Sequence, residues 1–342
     1  MKKFLLAFLV LLFTFISFGK VTYKDLDEKI IAIINNETLN YDYFQSQTKT
    51  LEVLRHINSV NNTFYKILVG SVEGNLTIQK YEKTILDKLA GEILFIQFTE
   101  SKNINLNKET LFNSIKTQTE NIFNSSNLSD HDILLYLLSK GFENKEQYVY
   151  SIYHEKLYKN AVSAIYNYLI NETTVTDKEI KKEYEQNKEK YYTPQSADIK
   201  LVFFKTSDDA SLAYQKIIDG YYVYDDIYNT KNESNEATLI RVNLENENNE
   251  LIKTIKSSFP GAILKPMKYN DNYYALIKIE KKNPKQQLSL EEAKTQIVNN
   301  IKDEKAKVLF DKLITSEFNE FKENSDIIIN TKYFKGDENN GN

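Results

Sequence analysis

The 342-residue chain has no cysteine and no tryptophan, only four prolines and nine glycines, and three histidines. Without cysteine there is no disulfide, no thiolate nucleophile and no cysteine-based zinc site. So little proline and glycine argues against a turn-rich all-β protein and makes helix the expected majority. The histidines are His56, His131 and His154, so no ring nitrogen is available after residue 154. His131 lies between Asp130 and Asp132, but adjacent residues on a helix point in different directions, and two ligands on one face need a spacing of three or four. His154 has no histidine at that distance, so no metal is expected. Walker loops, G-x-S-x-G and H-E-x-x-H are absent too, and no cofactor is expected. The net charge is −4, and without Lys2 and Lys3 the count is 42 basic against 48 acidic residues. A mildly acidic chain with no basic block is a poor nucleic-acid binder.

What the sequence does contain is 41% hydrophobic residues, enough for two cored domains, with 24 tyrosines and 19 phenylalanines. The aromatics mean either a peptide-binding surface or a compositional bias shared with the many Asn, Lys and Ile residues. Lys2 and Lys3 precede an apolar run from Phe4 to Phe18 that is too short to span a bilayer, and Ser17-Phe18-Gly19 supplies small residues for a peptidase. This reads as a signal peptide over 1–19, with membrane contact only through that segment if it stays uncleaved. IIAIINNETLN (30–40) reads as a strand, a turn at Asn35-Asn36, and a return to Leu39, with Asn36 as the residue tolerating a left-handed conformation. Helical periodicity runs from 41 to 170. Ile85, Leu89, Ile93 and Ile96, flanked by Leu86 and Ala90, form one stripe, and Leu157, Ala161, Ala164, Ile165 and Tyr168 form another. Residues 58–78 fit this pattern less well and read as an insertion or a long joint.

The architecture changes at NETTVTDKEIKKEYEQNKEKYYTPQSADIKLVFFK (171–205). Thr176 and Glu179 have capping-box spacing, the helix they open is polar almost all round, and Pro194 ends it. Ala197, Ile199, Leu201 and Phe203 then alternate with Asp198, Lys200, Val202 and Phe204, the period of a strand. Further along come a helix from Ser207, strands at 238–243, 262–269 and 273–280, and a helix over 248–258. Ser289 and Glu292 cap a long last helix with a stripe through Leu290, Ala293, Ile297, Ile301, Val308, Leu309 and Leu313.

That order, with V-T-D-K-E-I-K-K-E-Y-E-x-N-K-E-K-Y at the junction, F-P-G-A-I before one strand and N-Y-Y-A-L-I-K-I-E at the last, resembles SurA/PrsA-type extracytoplasmic chaperones. The resemblance covers nearly the whole mature chain. It implies an α+β fold with a mostly helical N-terminal chaperone domain, completed by the C-terminal helix, and an inserted parvulin-like domain of antiparallel sheet plus helices. The expected boundaries are 1–19 signal, 20–175 helical domain, 176–195 connector helix, 196–283 parvulin-like domain, 284–334 C-terminal helix and strand on the N-terminal domain, and 335–342 disordered tail. Ile327 to Ile329 would pair beside Ile30 to Ile34. The N-terminal cysteine that is lipidated in one branch of the family is absent.

Parvulin-type isomerases twist an X-Pro bond in a small apolar pocket with one histidine on the first strand and one on the last. An acid or thiol and glycine-rich turns lie between them. Here those positions fall at Leu201, or Lys200 if the register moves by one, and at Ala275, so the resemblance implies a parvulin fold without its site. The expected function is a secreted or periplasmic chaperone that holds unfolded or newly translocated polypeptides, with a homodimer also allowed. The peptide-contact candidates are Leu201, Phe203, Tyr221, Tyr222, Tyr224, Tyr228 and Tyr273. Two alternatives stay open: an active isomerase with a pocket rebuilt from tyrosine hydroxyls, and a structural envelope protein using the fold as a spacer.

Overall fold

The computed structural model describes residues 19–246 and 249–335. Residues 1–18 of the expected 1–19 signal and 336–342 of the expected 335–342 tail lie outside them. In chain order the elements are β1 (Lys20–Lys24), β2 (Ile30–Ile34), β3 (Glu37–Asn40), α1 (Tyr41–Thr48), α2 (Thr50–Val60), α3 (Asn62–Gly70), α4 (Val72–Ser101), α5 (Lys108–Ser125), α6 (Asp130–Ser139) and α7 (Lys145–Glu172). Then follow α8 (Asp177–Gln186), β4 (Tyr192–Thr193), β5 (Ser196–Phe204), α9 (Ser207–Ile218), α10 (Tyr224–Glu233), β6 (Ala237–Asn243), α11 (Glu250–Ser257), β7 (Ile263–Lys268), β8 (Tyr274–Asn283) and β9 (Gln286–Gln287). The chain closes with α12 (Leu290–Leu313), a π-turn at Ile314–Phe318, α13 (Asn319–Glu323) and β10 (Asp326–Asn330). The fold is α+β, and the chain forms two compact units, one running to Thr174 and resuming at Lys302, the other spanning Val175–Ile301.

In the first unit a four-stranded sheet has the order β1-β10-β2-β3, with β10 parallel to β1 and antiparallel to β2. Ile327 pairs with Ile34 and Ile329 with Ala32, so the last described strand sits in the middle of a sheet begun by the first residues. At the β2–β3 turn the left-handed residue is Asn35, at φ +50°, and not Asn36. The reason is visible in its side chain, whose Nδ2 donates to Gln97 Oε1 at 2.7 Å and whose Oδ1 accepts from the Asp326 amide at 3.0 Å. Asparagine is among the few residues that adopt this backbone readily.

Against the sheet lie α1 and α4, and α7 packs on α4. Leu86, Leu89, Ala90, Ile93 and Ile96 of α4 are buried, and so are Leu94 and Phe95, because this helix is covered on more than one face. On α7 Leu157, Ala161 and Ile165 are buried, whereas Tyr168 is exposed. The final stripe differs from the expected one. Ala306, Phe310 and Leu313 are buried while Val308 and Leu309 face solvent, since 306, 310 and 313 step by four and three along one face. The π-turn then adds an extra residue to the helical turn. Phe318, its last residue, lies 5.1 Å from Phe95 and 5.4 Å from Phe98, ring to ring.

Residues 58–78 are helical through most of their length, forming the end of α2, all of α3 and the start of α4. The segment reads poorly because its apolar residues do not sink into a core. Phe64, Ile67, Val72 and Leu76 are exposed, and Leu68 alone of α3 is buried. What shapes the α3–α4 corner is Ser71, whose Oγ accepts from the Gly74 amide at 3.0 Å, together with the close passage of Gly74 past the Ile67 and Leu68 carbonyls. A Cβ at Gly74 would stand 2.4 Å from the Leu68 carbonyl oxygen. Gly74→Ala is therefore expected to cost about 1–3 kcal/mol by overpacking. The check is hydrogen exchange over 62–82, which should speed up in the variant before the rest of the unit does.

The second unit is built on an antiparallel sheet of order β6-β5-β8-β7. One face carries Ala197, Ile199, Leu201, Leu264, Ala275, Ile277 and Ile279 under Ile252 and Ile255 of α11. The other carries Val202, Ala237 and Leu276 under Tyr224 and Tyr228 of α10. The polar-looking helix α8, closed by the Thr176–Glu179 capping box, inserts Ile180 into a small cluster with Tyr191, Ala293 and Ile297. Beside that cluster the β4–β9 ribbon pairs Tyr192 with Gln287.

Candidate peptide-binding site in the second unit

The strands β5 and β8 set the site. Leu201 pairs with Ile277 and Phe203 with Ala275, which puts Leu201 and Ala275 on the same face, diagonally across two strands. Both are sealed, at 1% and 0% exposure, among Ile277, Leu264 and Ile255. Neither side chain carries a polar atom, and both lie in an apolar cluster to which α11 contributes Ile252 and Ile255. Lys200 points the opposite way. Its ammonium lies 2.8 Å from Asp225 of α10 and 3.3 Å from Glu280, with the directly opposite Lys278 bound to the same two acids. Two like charges face each other across the strands, and the shared carboxylates neutralise them. The hydrogen bonds from Lys200 and Lys278 hold the Asp225 carboxyl below the usual range.

Of the other residues read from the sequence, Tyr224 and Tyr228 are buried and serve as packing. The Tyr224 hydroxyl shares its proton between the Lys200 carbonyl at 2.8 Å and the Leu276 carbonyl at 3.0 Å, and so ties α10 to both central strands. Burial pushes its phenol up, out of reach of ordinary titration. Leu201, Tyr224 and Tyr228 therefore offer no surface to a peptide. Tyr221 is 77% exposed just after α9.

Phe203, Tyr222 and Tyr273 come together in a cleft of about 420 Å³ at the end of β5 and β8. Its remaining wall comes from apolar Phe204, Leu212 and Ala213 and from the charged Lys205, Asp209, Lys216, Lys231 and Glu236. Lys216 donates to the Tyr222 hydroxyl at 3.2 Å, and Lys231 lies 4.9 Å from the centre of the Phe204 ring while paired with Glu236 at 2.8 Å. Phe203 packs on Tyr269 and Tyr273 with ring centres at 4.9 and 6.1 Å. The arrangement combines an aromatic and aliphatic lining with charged side chains, and can take an extended segment with apolar side chains. Leu212, Lys216 and Lys231 were missed in the sequence because their own helices show only ordinary solvated residues. Only the strand ends bring them to Phe203.

The profile of the PPIC-type PPIase domain matches residues 175–295. The foldase protein PrsA of Clostridium perfringens is 23% identical over 310 residues, covering 86% of either chain. The periplasmic chaperone PpiD of Buchnera aphidicola subsp. Schizaphis graminum is 25% identical over 209 residues, covering 50% of this chain and 32% of that protein. The crystal structure of the foldase protein PrsA from Lactococcus lactis, 14% identical, covers 87% of this chain and 94% of that one, at a TM-score of 0.34. Residues 175–295 thus match the PPIC-type PPIase family, and the unit that holds them, Val175–Ile301, interrupts the first unit between Thr174 and Lys302, so that the chain as a whole resembles the SurA/PrsA type.

Proposed function

We propose that this chain is an extracytoplasmic folding chaperone whose parvulin-like domain holds client polypeptide without isomerising its prolyl bonds. One observation carries the second half of the proposal. Where a parvulin-type isomerase would present ring nitrogens, this chain presents Leu201 and Ala275, both buried in an apolar cluster. An X-Pro bond rotates over a barrier of about 18–20 kcal/mol, and lowering it requires a pocket that holds the twisted amide. Here both positions are closed off among packed apolar side chains. The names of the relatives, a foldase and a periplasmic chaperone, support the first half. No helix among the described residues is long and apolar enough to cross a membrane.

In this reading the clients are unfolded or newly translocated chains, and the contact surface in the second unit is the cleft at Phe203, Tyr222, Tyr273 and Leu212, with Tyr221 beside it. The test is suppression of aggregation of thermally unfolded citrate synthase by the chain beginning at Lys20. Leu212→Asp combined with Tyr222→Ala changes exposed cleft residues only and should weaken suppression about tenfold, the equivalent of roughly 1.4 kcal/mol of lost apolar contact. Unchanged suppression would remove the cleft from the client surface, and no suppression by the unaltered chain would remove the chaperone reading itself.

A further inference from the structure

The two edges of the second unit's sheet are treated differently. β7 has Pro266 and a register irregularity between Leu264 and Met267, and α9 packs against it. Proline, bulges and covering helices are the usual devices that keep an edge strand from pairing with another chain. β6 has neither a proline nor a register irregularity, although α10 packs against it as α9 does against β7. Its seven residues, ATLIRVN, contain one charge, Arg241, whose guanidinium is already committed to Asp198 through two bonds at 2.6 and 3.0 Å. Leu239 is 55% exposed and Ile240 is exposed on the opposite face.

The ladder says which main-chain groups are free. The Phe203 amide donates to the Glu236 carbonyl at 2.8 Å and the Leu244 amide to the Gln195 carbonyl at 2.8 Å, bracketing a register in which Leu201 pairs with Thr238 and Ile199 with Ile240. In an antiparallel ladder the hydrogen-bonded pairs alternate. Thr238, Ile240 and Val242 therefore turn their amides and carbonyls to β5, and Leu239 and Arg241 turn theirs outward, where β6 ends the sheet. Donors and acceptors repeated at every second residue, about 6.8 Å apart, fit another extended strand and nothing more compact.

We infer that β6 is a strand-addition site, which takes an extended, apolar-alternating segment of an unfolded client as a fifth strand. The inference rests on the chaperone reading and gives it a binding mode, in which main-chain bonds to Leu239 and Arg241 supply affinity that is indifferent to client sequence. The edge also runs directly into the aromatic cleft, since Glu236, the residue before β6, lines it. A client strand leaving β6 at that end meets Phe204 and Tyr222, whereas a second copy of β6 would bring its own α10 with it. An unfolded client is therefore the fitting occupant.

The test uses the chain from Lys20 and reduced, carboxymethylated α-lactalbumin as a permanently unfolded probe. Leu239→Pro deletes an outward amide and leaves the bonds to β5 untouched, so the sheet should stand. Probe affinity should fall about tenfold, the loss of a main-chain bond and its alignment. In the unaltered chain, NMR-detected amide exchange should slow at Leu239 and Arg241 when probe is added and stay as it was at Thr238 and Ile240. Equal affinity of the variant, with no slowing at Leu239 and Arg241, overturns the inference while the chaperone reading survives. Slowing that appears with rising protein concentration and no probe overturns it in favour of a second copy. Failure of the unaltered chain to bind the probe at all overturns both.

Discussion

A chain that stops at Asn324 is expected to lose the fold of the unit that runs to Thr174 and resumes at Lys302, while residues 175–301 stay folded. The stop removes β10 from between β1 and β2, and so cuts the first unit's sheet in two. With it go Ile327, Ile329 and Phe334, all buried in the main core, and Asn330, whose side-chain amide donates to the Asp27 carbonyl at 2.9 Å and the Ile30 carbonyl at 2.7 Å. Removing a large buried apolar side chain costs about 2–5 kcal/mol, and three of them match the roughly 5–15 kcal/mol by which a whole domain is stable. Hydrogen exchange resolved by peptide is the check. Segments 85–101 and 157–169 should exchange at once in the truncated chain, and 196–204 and 274–283 should remain protected. Retained protection over 85–101 would mean that the late strand is an accessory.

Replacing Glu92 with glutamine is expected to stabilise the first unit by about 3 kcal/mol at pH 8 and hardly at all near pH 4.5. Glu92 of α4 and His154 of α7 are both buried, 3.5 Å apart, with neither imidazole nitrogen hydrogen-bonded. That separation is too long for a good hydrogen bond. Burial dominates for each, raising the carboxyl from 4.5 to about 7 and lowering the imidazole from 6.5 to about 4. The groups facing them are Lys88 on α4, Glu155 and Tyr158 on α7, and Tyr43 from α1. Lys88 reaches Glu92 at only 3.8 Å and offsets little of the burial. Because the folded carboxyl holds its proton up to about 7, the folded chain binds more protons than the unfolded one between pH 4.5 and 7, so stability falls as pH rises through that window. The histidine acts in the opposite sense between pH 4 and 6.5, where the unfolded chain takes up a proton that the folded one refuses. The two nearly cancel where they overlap, and above it the Glu92 cost stands alone. Denaturation curves of both proteins between pH 5 and 8 should diverge as pH rises, and parallel curves would mean that Glu92 is charged in the fold without penalty.

The same pair shows why part of the molecule was readable in the sequence and part was not. Strand and helix periods are local, so the β5 alternation and the α4 stripe could be read directly. Alternation understated the burial of Val202 because α10 covers the second face as well. His154 showed only that it has no histidine at ligand spacing, because its neighbour Glu92 belongs to another helix and no spacing rule links them. Tyr224 and Tyr228 looked like binding residues because a tyrosine run beside a loop is indistinguishable from a tyrosine that caps strand carbonyls until the strands are placed. In the last helix, Val308 and Leu309 are more apolar than Ala306, yet position on the face decides, and alanine is the residue that fits against the core. The cleft draws on 203–205, 209–222, 231–236 and 273, and a pocket assembled from four segments leaves no pattern in any one of them.

The central claim, a parvulin-like domain that binds but does not catalyse, is tested most directly by exchange spectroscopy on a proline-containing peptide with the chain from Lys20 present. Leu201 and Ala275 offer no hydrogen-bonding group, and both are buried in an apolar cluster with Ile277. The peptide signals should therefore shift and broaden as it binds while cis and trans proline interconvert at the rate seen in buffer, over tens to hundreds of seconds. Adding histidine through Leu201→His with Ala275→His should not change that rate, because the rest of the pocket is still absent. Faster interconversion in the presence of the unaltered chain would contradict the account and make this protein an isomerase with a site elsewhere on the domain.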